Sequence, residues 1–211
     1  MPAVLEARVE PMPRSSRDRA VHPAFERERV IALRRGDAAA RDDFFDHFYD
    51  RVFQFVAATV RDDHLAEDLT HEIFLKLHAA LHRLDPEREP SRFVFTVASN
   101  AIRDHWRRHE TRATRNALDL DDVHDPPADG AARIDESLVV DENHRRVHEA
   151  MADLSDEDRE ILALRAFGEL DNEDAARALG IRVEAVRQRW SRAVRRLGVA
   201  YRALEAEGGD A

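Results

Sequence analysis

The sequence predicts an all-α protein made of two small helical domains joined by an acidic flexible linker, with a helix-turn-helix in the second domain. Three observations support this fold class. Apolar residues recur every three or four positions along most of the chain, which is the period of an amphipathic helix. Aromatic residues make up only 7% of the chain, so the cores are small and suit helices better than a large sheet. A segment rich in acids, with two adjacent prolines and few apolar residues, divides the chain.

Composition excludes several classes of protein. Charged residues make up 36% of the 211, and the longest uncharged stretch, residues 93–102, is far shorter than the roughly 20 apolar residues of a membrane-spanning helix. No membrane insertion is therefore expected. The N-terminus carries Glu6, Arg8 and Glu10 where a secretory signal needs an apolar run, which predicts a cytoplasmic location. Because the chain has no cysteine, disulfides and thiolate zinc sites are excluded.

The first domain is predicted over residues 23–110, after a disordered extension at 1–22. Gly36 is a candidate C-cap, Asp37 and Asp63 are expected to cap the second and third helices, and Ser91 is expected to begin the fourth. The apolar side chains expected to face inward are Phe44, Phe45, Phe48, Val52, Phe53, Phe55, Leu65, Leu69, Ile73, Leu77, Leu81, Phe93, Val94, Val97, Ala98, Ile102 and Trp106.

An acidic linker is predicted over residues 111–142, followed by the second domain at 143–206 and a tail at 207–211. The linker contains two adjacent prolines and a glycine, with few apolar residues to bury. The first helix of the second domain is expected near 142–152.

The remaining helices of the second domain carry clear capping signals. Ser155 is expected to cap one helix, with Asp158 three residues on in the capping-box position. Asp171 is expected to cap a short helix that ends at Gly180, a candidate left-handed C-cap. A long helix studded with arginine follows over about 183–204. Two helices joined by a glycine turn, with basic residues on the second, are typical of a DNA-binding helix-turn-helix.

Charge is divided unevenly along the chain. The net charge is −10, which alone argues against nucleic acid as a partner. Residues 177–202, however, contain eight arginines and one acid, whereas residues 116–143 contain nine acids and one arginine. A basic C-terminal unit after an acidic connector indicates a nucleic-acid surface and a tether.

The last long helix has one apolar face and one polar face. At 100° per residue Val186, Trp190, Ala193 and Leu197 share a stripe that is expected to pack inward. The opposite face carries arginine, glutamine, glutamate and serine, which are side chains that read base edges and bind phosphates in a major groove. A solvated exterior helix is the alternative interpretation of the same face.

Several segments resemble the extracytoplasmic-function class of bacterial RNA polymerase sigma factors. AEDLTHEIFLKL, at 66–77, and SRFVFTVASNAIRDHWRR, at 91–108, are similar to two consecutive helices of the first domain of that family. LSDEDREILALRAFGELDNEDAARALGI, at 154–181, and VRQRWSRAVRRL, at 186–197, resemble its second domain, including the turn and the recognition helix. The resemblance covers roughly residues 38–110 and 143–204, in the family's order and with a linker between.

The resemblance implies a transcription initiation factor that gives promoter specificity to core RNA polymerase and promotes DNA melting. It implies contacts of the first domain with the clamp helices of the largest polymerase subunit through Asp68, His71 and Glu72. It implies binding of the minus-ten promoter element by Asp85, Arg88, Ser91, Asn100, Arg103, Arg107 and Arg108. It implies binding of the minus-thirty-five element by Arg182, Glu184, Arg187, Gln188, Arg189, Ser191, Arg192 and Arg195. Further implied partners are the beta flap of the polymerase and an anti-sigma factor.

Two other functions remain open from the sequence. A stand-alone helix-turn-helix regulator would use the same second domain without polymerase. A helical metal or small-ligand protein would use the pairs His78/His82, His105/His109 and His144/His148, each four residues apart, although no third ligand stands at helical spacing and no metal site is predicted. The chain has no P-loop, nucleotide-binding glycine fingerprint, GxSxG or HExxH, so we expect neither catalysis nor a cofactor.

Overall fold

A computed structural model describes residues 24–116, 149–152 and 154–208. These residues form α-helices connected by short turns, and no strand occurs within these ranges. The all-α prediction is confirmed.

The first domain is a helical bundle. Its helices are α1 (Arg27–Arg34), α2 (Ala38–Val60), α3 (Asp63–Ala80) and α4 (Ser91–Asn116). A short 3-10 turn, Leu81–Arg83, ends α3 and leads into the loop before α4. Helix α2 lies in the middle and packs against α1, α3 and α4.

The predicted start of α2 is confirmed, whereas the predicted cap of α3 is wrong by one residue. Gly36 has φ +81°, and the Asp37 carboxylate accepts a hydrogen bond from Ala40 N at 2.8 Å. The cap of α3 is Asp62, whose carboxylate accepts from Leu65 N at 3.0 Å, and Asp63 is the first helical residue. Arg61 ends α2 in the left-handed region, so the residue directly after it takes the extended backbone that an N-cap requires.

Phenylalanine dominates the core of the first domain. Phe44, Phe48 and Phe55 on α2 and Phe95 on α4 are fully buried. Their rings meet edge to face or tilted, with the centroids of Phe55 and Phe95 5.5 Å apart and those of Phe44 and Phe48 4.8 Å apart. Phe44, Phe48 and Phe55 confirm the inward-facing pattern predicted for α2, whereas Phe95 was not among the residues predicted to face inward.

The second domain contains α5 (Asp156–Ala166), α6 (Asn172–Leu179) and α7 (Val183–Gly208). The caps follow the prediction, since Ser155 accepts from Asp158 N at 3.3 Å and Asp171 accepts from Asp174 N at 2.8 Å. Gly180 ends α6 with φ +67°. The turn between α6 and α7 is therefore the predicted left-handed glycine turn of a helix-turn-helix.

Two predicted boundaries differ from the observed helices. Helix α4 continues to Asn116, six residues into the range assigned to the linker, and α7 continues to Gly208, two residues into the predicted tail. Of the helix expected near 142–152, residues 149–152 are helical. The predicted extension at 1–22, the linker from 117 onward and the pair His144/His148 lie outside the described residues.

The two domains pack directly against each other. Helix α5 lies against α2 and α6 lies against α4, and buried residues of both domains form one apolar core. A methyl group at Gly168, in the turn after α5, would lie 3.1 Å from the Phe95 ring and 2.6 Å from the Leu164 carbonyl oxygen. Glycine therefore allows this turn to approach α4 closely. Among the described helices, none is long and apolar enough to span a membrane.

The capping correction is testable by substituting the two neighbouring aspartates separately. We expect Asp62→Ala to lower the free energy of unfolding by about 1 kcal/mol, because it removes the acceptor for Leu65 N. Asp63→Ala removes only a first-turn charge and is expected to cost about 0.3 kcal/mol. Urea denaturation of both variants measures the difference, and a larger loss for Asp63→Ala would contradict the assignment.

Candidate nucleic-acid interface

Helix α7 presents a polar, arginine-rich face to solvent. Val186 and Ala193 are fully buried, and Trp190 and Leu197 are partly buried against the core, as the predicted apolar stripe requires. The predicted base-reading and phosphate-binding residues that lie exposed are Arg182, Glu184, Arg187, Gln188, Ser191, Arg192 and Arg195. Arg189 differs, because its side chain is only 18% exposed and pairs with Glu157 of α5 at 3.1 Å.

A buried carboxylate anchors the middle of α7 to α5. The Asp158 side chain is 1% exposed and accepts from Arg196 Nη1 at 2.6 Å. Arg192 Nε lies 3.6 Å from the other carboxylate oxygen. Asp158 thus fixes the rotation of α7 on its partner helix, which keeps the polar face outward. The pairing with Arg196 was not predicted, since two residues 38 positions apart share no local sequence signal.

A cleft of about 350 Å³ lies between the loop that precedes α4 and the first turns of α4. The predicted Asp85 and Arg88 line it and form an ion pair at 3.2 Å. Ser91 was predicted to contact DNA, but it is 7% exposed and its hydroxyl donates to the Glu89 carboxylate at 3.3 Å. The other residues that line the cleft are Arg83, Leu84, Glu89, Pro90, Arg92, Phe93, Thr96 and Arg177.

Farther along α4 the predicted minus-ten residues form a polar ridge. Asn100, Arg107 and Arg108 are exposed. Arg107 pairs with Asp104 one turn away, and Arg108 Nε donates to the Asp104 carbonyl at 3.1 Å. Arg103 is half-buried because its guanidinium contacts α6 of the second domain. Trp106, which has one side available to solvent, packs on the core with the rest of its ring.

The predicted clamp-binding residues share one face of α3. Asp68 and His71 are exposed, and the half-buried Glu72 pairs with Lys76 at 2.7 Å and with Arg108 at 3.5 Å. The hydrogen bond from Lys76 lowers the pKa of Glu72. Leu75 completes the stripe at i+7 and is 68% exposed, which sequence reasoning missed. The sequence did contain a signal for this exposure, because Leu75 lies outside the series of apolar residues, spaced four positions apart from Leu65 to Leu81, that was predicted to face inward.

Two family models match the chain. Sigma-70 region 2 matches residues 44–112, and sigma-70 region 4 matches residues 144–197. The extracytoplasmic-function sigma factor SigK of Mycobacterium ulcerans is 28% identical over 78% of this chain and 87% of its own length. SigM of Bacillus subtilis, of the same class, is 28% identical over 76% of this chain and 94% of its own length. This chain belongs to the sigma-70 family, in the extracytoplasmic-function class.

Solved structures share the fold of this sigma factor. CnrH, solved in complex with the cytosolic domain of CnrY, is 21% identical and covers 84% of this chain and 97% of its own, with a TM-score of 0.59. RpoE of Bartonella quintana, solved with the anti-sigma factor NepR, is 19% identical and covers 76% of this chain and 96% of its own, with a TM-score of 0.58. The two family models, together with the relatives SigK and SigM, confirm the predicted class and its role in transcription initiation.

Two of the three histidine pairs of the sigma factor lie within the described residues, on α3 with its following turn and on α4. The rings of His105 and His109 lie 5.8 Å apart on α4, and His78 stacks on Phe45 with 6.3 Å between centroids. Over the described ranges, no three His, Asp or Glu side chains come close enough together to hold a metal ion.

A buried acid lies between the two domains. Glu160 on α5 is 4% exposed, and its nearest cation is Arg103, whose Nε is 4.0 Å from the carboxylate. Burial raises the pKa of Glu160, and the Arg103 charge lowers it by less. The ionised form is therefore disfavoured in the folded chain relative to the unfolded chain.

Glu160→Gln should consequently stabilise the sigma factor at neutral pH, by on the order of 1 kcal/mol, because the amide imitates the protonated acid. The stability difference between variant and wild type should shrink as the pH falls through the raised pKa, where the wild-type side chain becomes protonated. Denaturant titrations at about pH 8 and about pH 5 measure this. Glu67→Gln, which changes an exposed acid on α3, is the control. A destabilised Glu160→Gln at neutral pH would mean that the pairing with Arg103 outweighs burial.

Proposed function

We propose that this sigma factor confers promoter specificity on bacterial core RNA polymerase. In the proposal α7 reads the minus-thirty-five element as duplex, and α4 with its preceding loop holds the minus-ten element as a melted single strand. The observation that carries the proposal is the presence, on one chain, of an exposed recognition-helix face and a separate basic cleft with an aromatic wall.

The exposed face of α7 suits direct readout in a major groove. Arg187 and Gln188 lie in the second turn after the glycine turn, where a recognition helix meets base edges. Arginine binds guanine O6 and N7, and glutamine binds adenine N6 and N7. Arg192 and Arg195 lie one to two turns farther on and suit phosphate binding, which sets the register of the helix. Arg189, already paired with Glu157, would serve mainly to hold α7 against α5.

The cleft before α4 suits an unstacked base. Phe93 is a half-buried ring in its wall, and Arg88 and Arg92 supply positive charge beside it. An aromatic face stacks on any base, while arginines bind the displaced strand through its phosphates. Asn100, Arg107 and Arg108 extend the same basic track along α4. Melting is favoured when the single strand binds here more strongly than the duplex does.

The stripe on α3 suits a protein partner, which we assign to the clamp helices of the largest polymerase subunit. Asp68, His71 and Glu72 give it polar character, and the exposed Leu75 provides an apolar anchor at its end. On α7 the exposed Val199 suits a second apolar contact, which we assign to the beta flap.

The same proposal sets the remaining partners and the location. Acting only inside a polymerase complex, the chain needs no catalytic residue of its own and works in the cytoplasm, where that enzyme transcribes. An anti-sigma factor is the proposed negative regulator. Two solved relatives support this proposal, since RpoE was determined with the anti-sigma factor NepR and CnrH with the cytosolic domain of CnrY.

Run-off transcription from a genomic promoter library tests the proposal. Core polymerase with this protein is expected to initiate at new sites that share two spaced upstream motifs. Identical initiation with and without the protein, together with failure to co-elute with core polymerase, would contradict it and favour a stand-alone regulator.

Replacing one base-reading arginine should change affinity in a sequence-dependent way. Arg187→Ala is expected to weaken the binding of the holoenzyme to duplex DNA that contains the minus-thirty-five element, by about 1–3 kcal/mol. The variant should also lose sequence preference at one base pair of that element. Arg202→Ala is the matched control, an exposed arginine on the same helix about 22 Å farther along. Competition binding against each single-base variant of the promoter measures both effects, and a loss that is uniform across those sequences would assign Arg187 to phosphate.

Placing a charge at the apolar end of the α3 stripe should weaken association with polymerase. Leu75→Glu is expected to reduce affinity for core polymerase on the order of tenfold, and its melting temperature should be unchanged because the side chain is exposed. Ala39→Glu adds the same charge at an exposed position of α2 and serves as the control. Equal affinities of the two variants, measured by fluorescence anisotropy, would remove Leu75 from the interface.

A further inference from the structure

Lys76 is the only lysine in the chain, since the other 32 of its 33 basic residues are arginine. It lies on α3 one turn after Glu72, and its ammonium group donates a hydrogen bond to Glu72 Oε1 at 2.7 Å. Glu72 is one of the three polar residues of the stripe that we assign to the polymerase clamp helices. Lys76 therefore acts directly on a member of that stripe.

Two cations from two helices contact the carboxylate of Glu72. Besides Lys76, Arg108 of α4 reaches the same oxygen, with its Nη2 3.5 Å from Glu72 Oε1. The closest contact of each cation is with Oε1, so both approach the carboxylate from that side and leave the Oε2 side for a partner. The side chain of Glu72 is 36% exposed and lines an open cleft of about 600 Å³ between α3 and α4. A cationic side chain of a partner can therefore reach it.

The two contacts differ in how they would respond to promoter DNA. Arg108 belongs to the basic track that we assign to the minus-ten strand, and its contact with Glu72 is long. When Arg108 binds a phosphate of that strand, little holds it to Glu72. Lys76 belongs to α3 itself, and its shorter contact joins positions i and i+4 of one helix. Lys76 is thus the cation that stays with Glu72 when DNA is bound.

A carboxylate that is held in place binds a partner more tightly than one that is free to turn. An exposed glutamate samples several rotamers and loses this freedom when a partner immobilises it, which weakens the association. A side chain that is already restricted in the free protein loses less freedom on binding. The hydrogen bond from Lys76 supplies such a restriction to Glu72.

We infer that Lys76 is a positioning residue for association with polymerase, because it holds the Glu72 carboxylate in the orientation in which a cation of the clamp helices binds it. The inference rests on the proposed function, which assigns the α3 stripe to those helices. Lys76 contributes through Glu72 and not through a polymerase contact of its own.

The affinity of the full chain for core polymerase, measured by fluorescence anisotropy, tests this role. Lys76→Met removes the ammonium group and keeps a long side chain, and it is expected to reduce the affinity about two- to fivefold. Lys76→Arg keeps a cationic donor and should recover most of that loss. Arg35→Met, which removes one positive charge at an exposed position after α1, is the matched control. Equal affinities of Lys76→Met and Arg35→Met would overturn the inference.

A second substitution separates positioning from direct contact. In a chain that already carries Glu72→Ala, Lys76→Met is expected to change the affinity by less than about 1.5-fold, because the carboxylate that Lys76 positions is gone. If Lys76→Met caused the same two- to fivefold loss in that background, Lys76 would contact polymerase itself and the inference would be wrong.

The contact between Lys76 and Glu72 is also testable without polymerase. The hydrogen bond from Lys76 lowers the pKa of Glu72, so Lys76→Met is expected to raise that pKa, as measured by carbon-13 NMR of the side-chain carboxyl group. Arg35→Met should leave the pKa of Glu72 unchanged. The same pKa in Lys76→Met and the parent chain would disprove the contact.

These measurements distinguish a failure of the inference from a failure of the proposed function. A parent chain that did not bind core polymerase would overturn both, whatever the NMR titration showed. A parent chain that bound polymerase with the same affinity as Lys76→Met would overturn the positioning role alone.

Discussion

A buried arginine sets the relative position of the two domains. Arg51 on α2 is 4% exposed, with its guanidinium over the rings of Phe48 and Phe95 at 5.4 and 5.6 Å. Burial lowers its pKa, so the charge needs acceptors, and Nε donates to the Phe167 carbonyl of the second domain at 3.1 Å. Moving the α5–α6 turn away would remove this acceptor from a charged group that lies among apolar rings.

The position of the α5–α6 turn decides what lies against the proposed minus-ten surface on α4. With Phe167 held by Arg51 and Gly168 against Phe95, the chain turns directly into α6, whose end meets Arg103. The polar face of α7 stays outward because Asp158 binds Arg196, which lies beside Arg192 at the edge of that face. The chain therefore places α6 against the proposed single-strand surface and leaves the proposed duplex-reading face of α7 open. On this account, the two proposed DNA surfaces differ in their access to promoter before polymerase is bound.

Local signals in the sequence predicted the helices, most caps and the recognition turn. Asp37, Ser155, Asp171 and Gly180 act where expected because each role depends on residues within one turn. The cap of α3 was misplaced because two consecutive aspartates give equal signals and the backbone of Arg61 decides between them. From the sequence, Ser91 could either begin α4 or contact DNA. In the fold its side chain is buried beside Glu89.

Contacts between distant residues lay beyond sequence reasoning. The pairing of Asp158 with Arg196, and that of Arg103 with α6, join positions 38 and more than 70 residues apart. The resemblance to known sigma factors implied Arg103 as a DNA residue without implying its second contact. Arg189 was likewise grouped with the exposed arginines, although the fold pairs it with Glu157.

The most direct test of the account follows one chain from its isolated state into the polymerase complex. The chain has no cysteine, so spin labels can be attached through Asp46→Cys on α2 and Ala203→Cys on α7, both exposed. The distribution of distances between the two labels would be measured by electron spin resonance for the free protein, then with core polymerase, and then with promoter DNA. The account predicts a narrow distribution for the free chain and a longer one once polymerase and promoter are bound, because both DNA surfaces must then be accessible. An unchanged distribution in a complex that initiates transcription would contradict it.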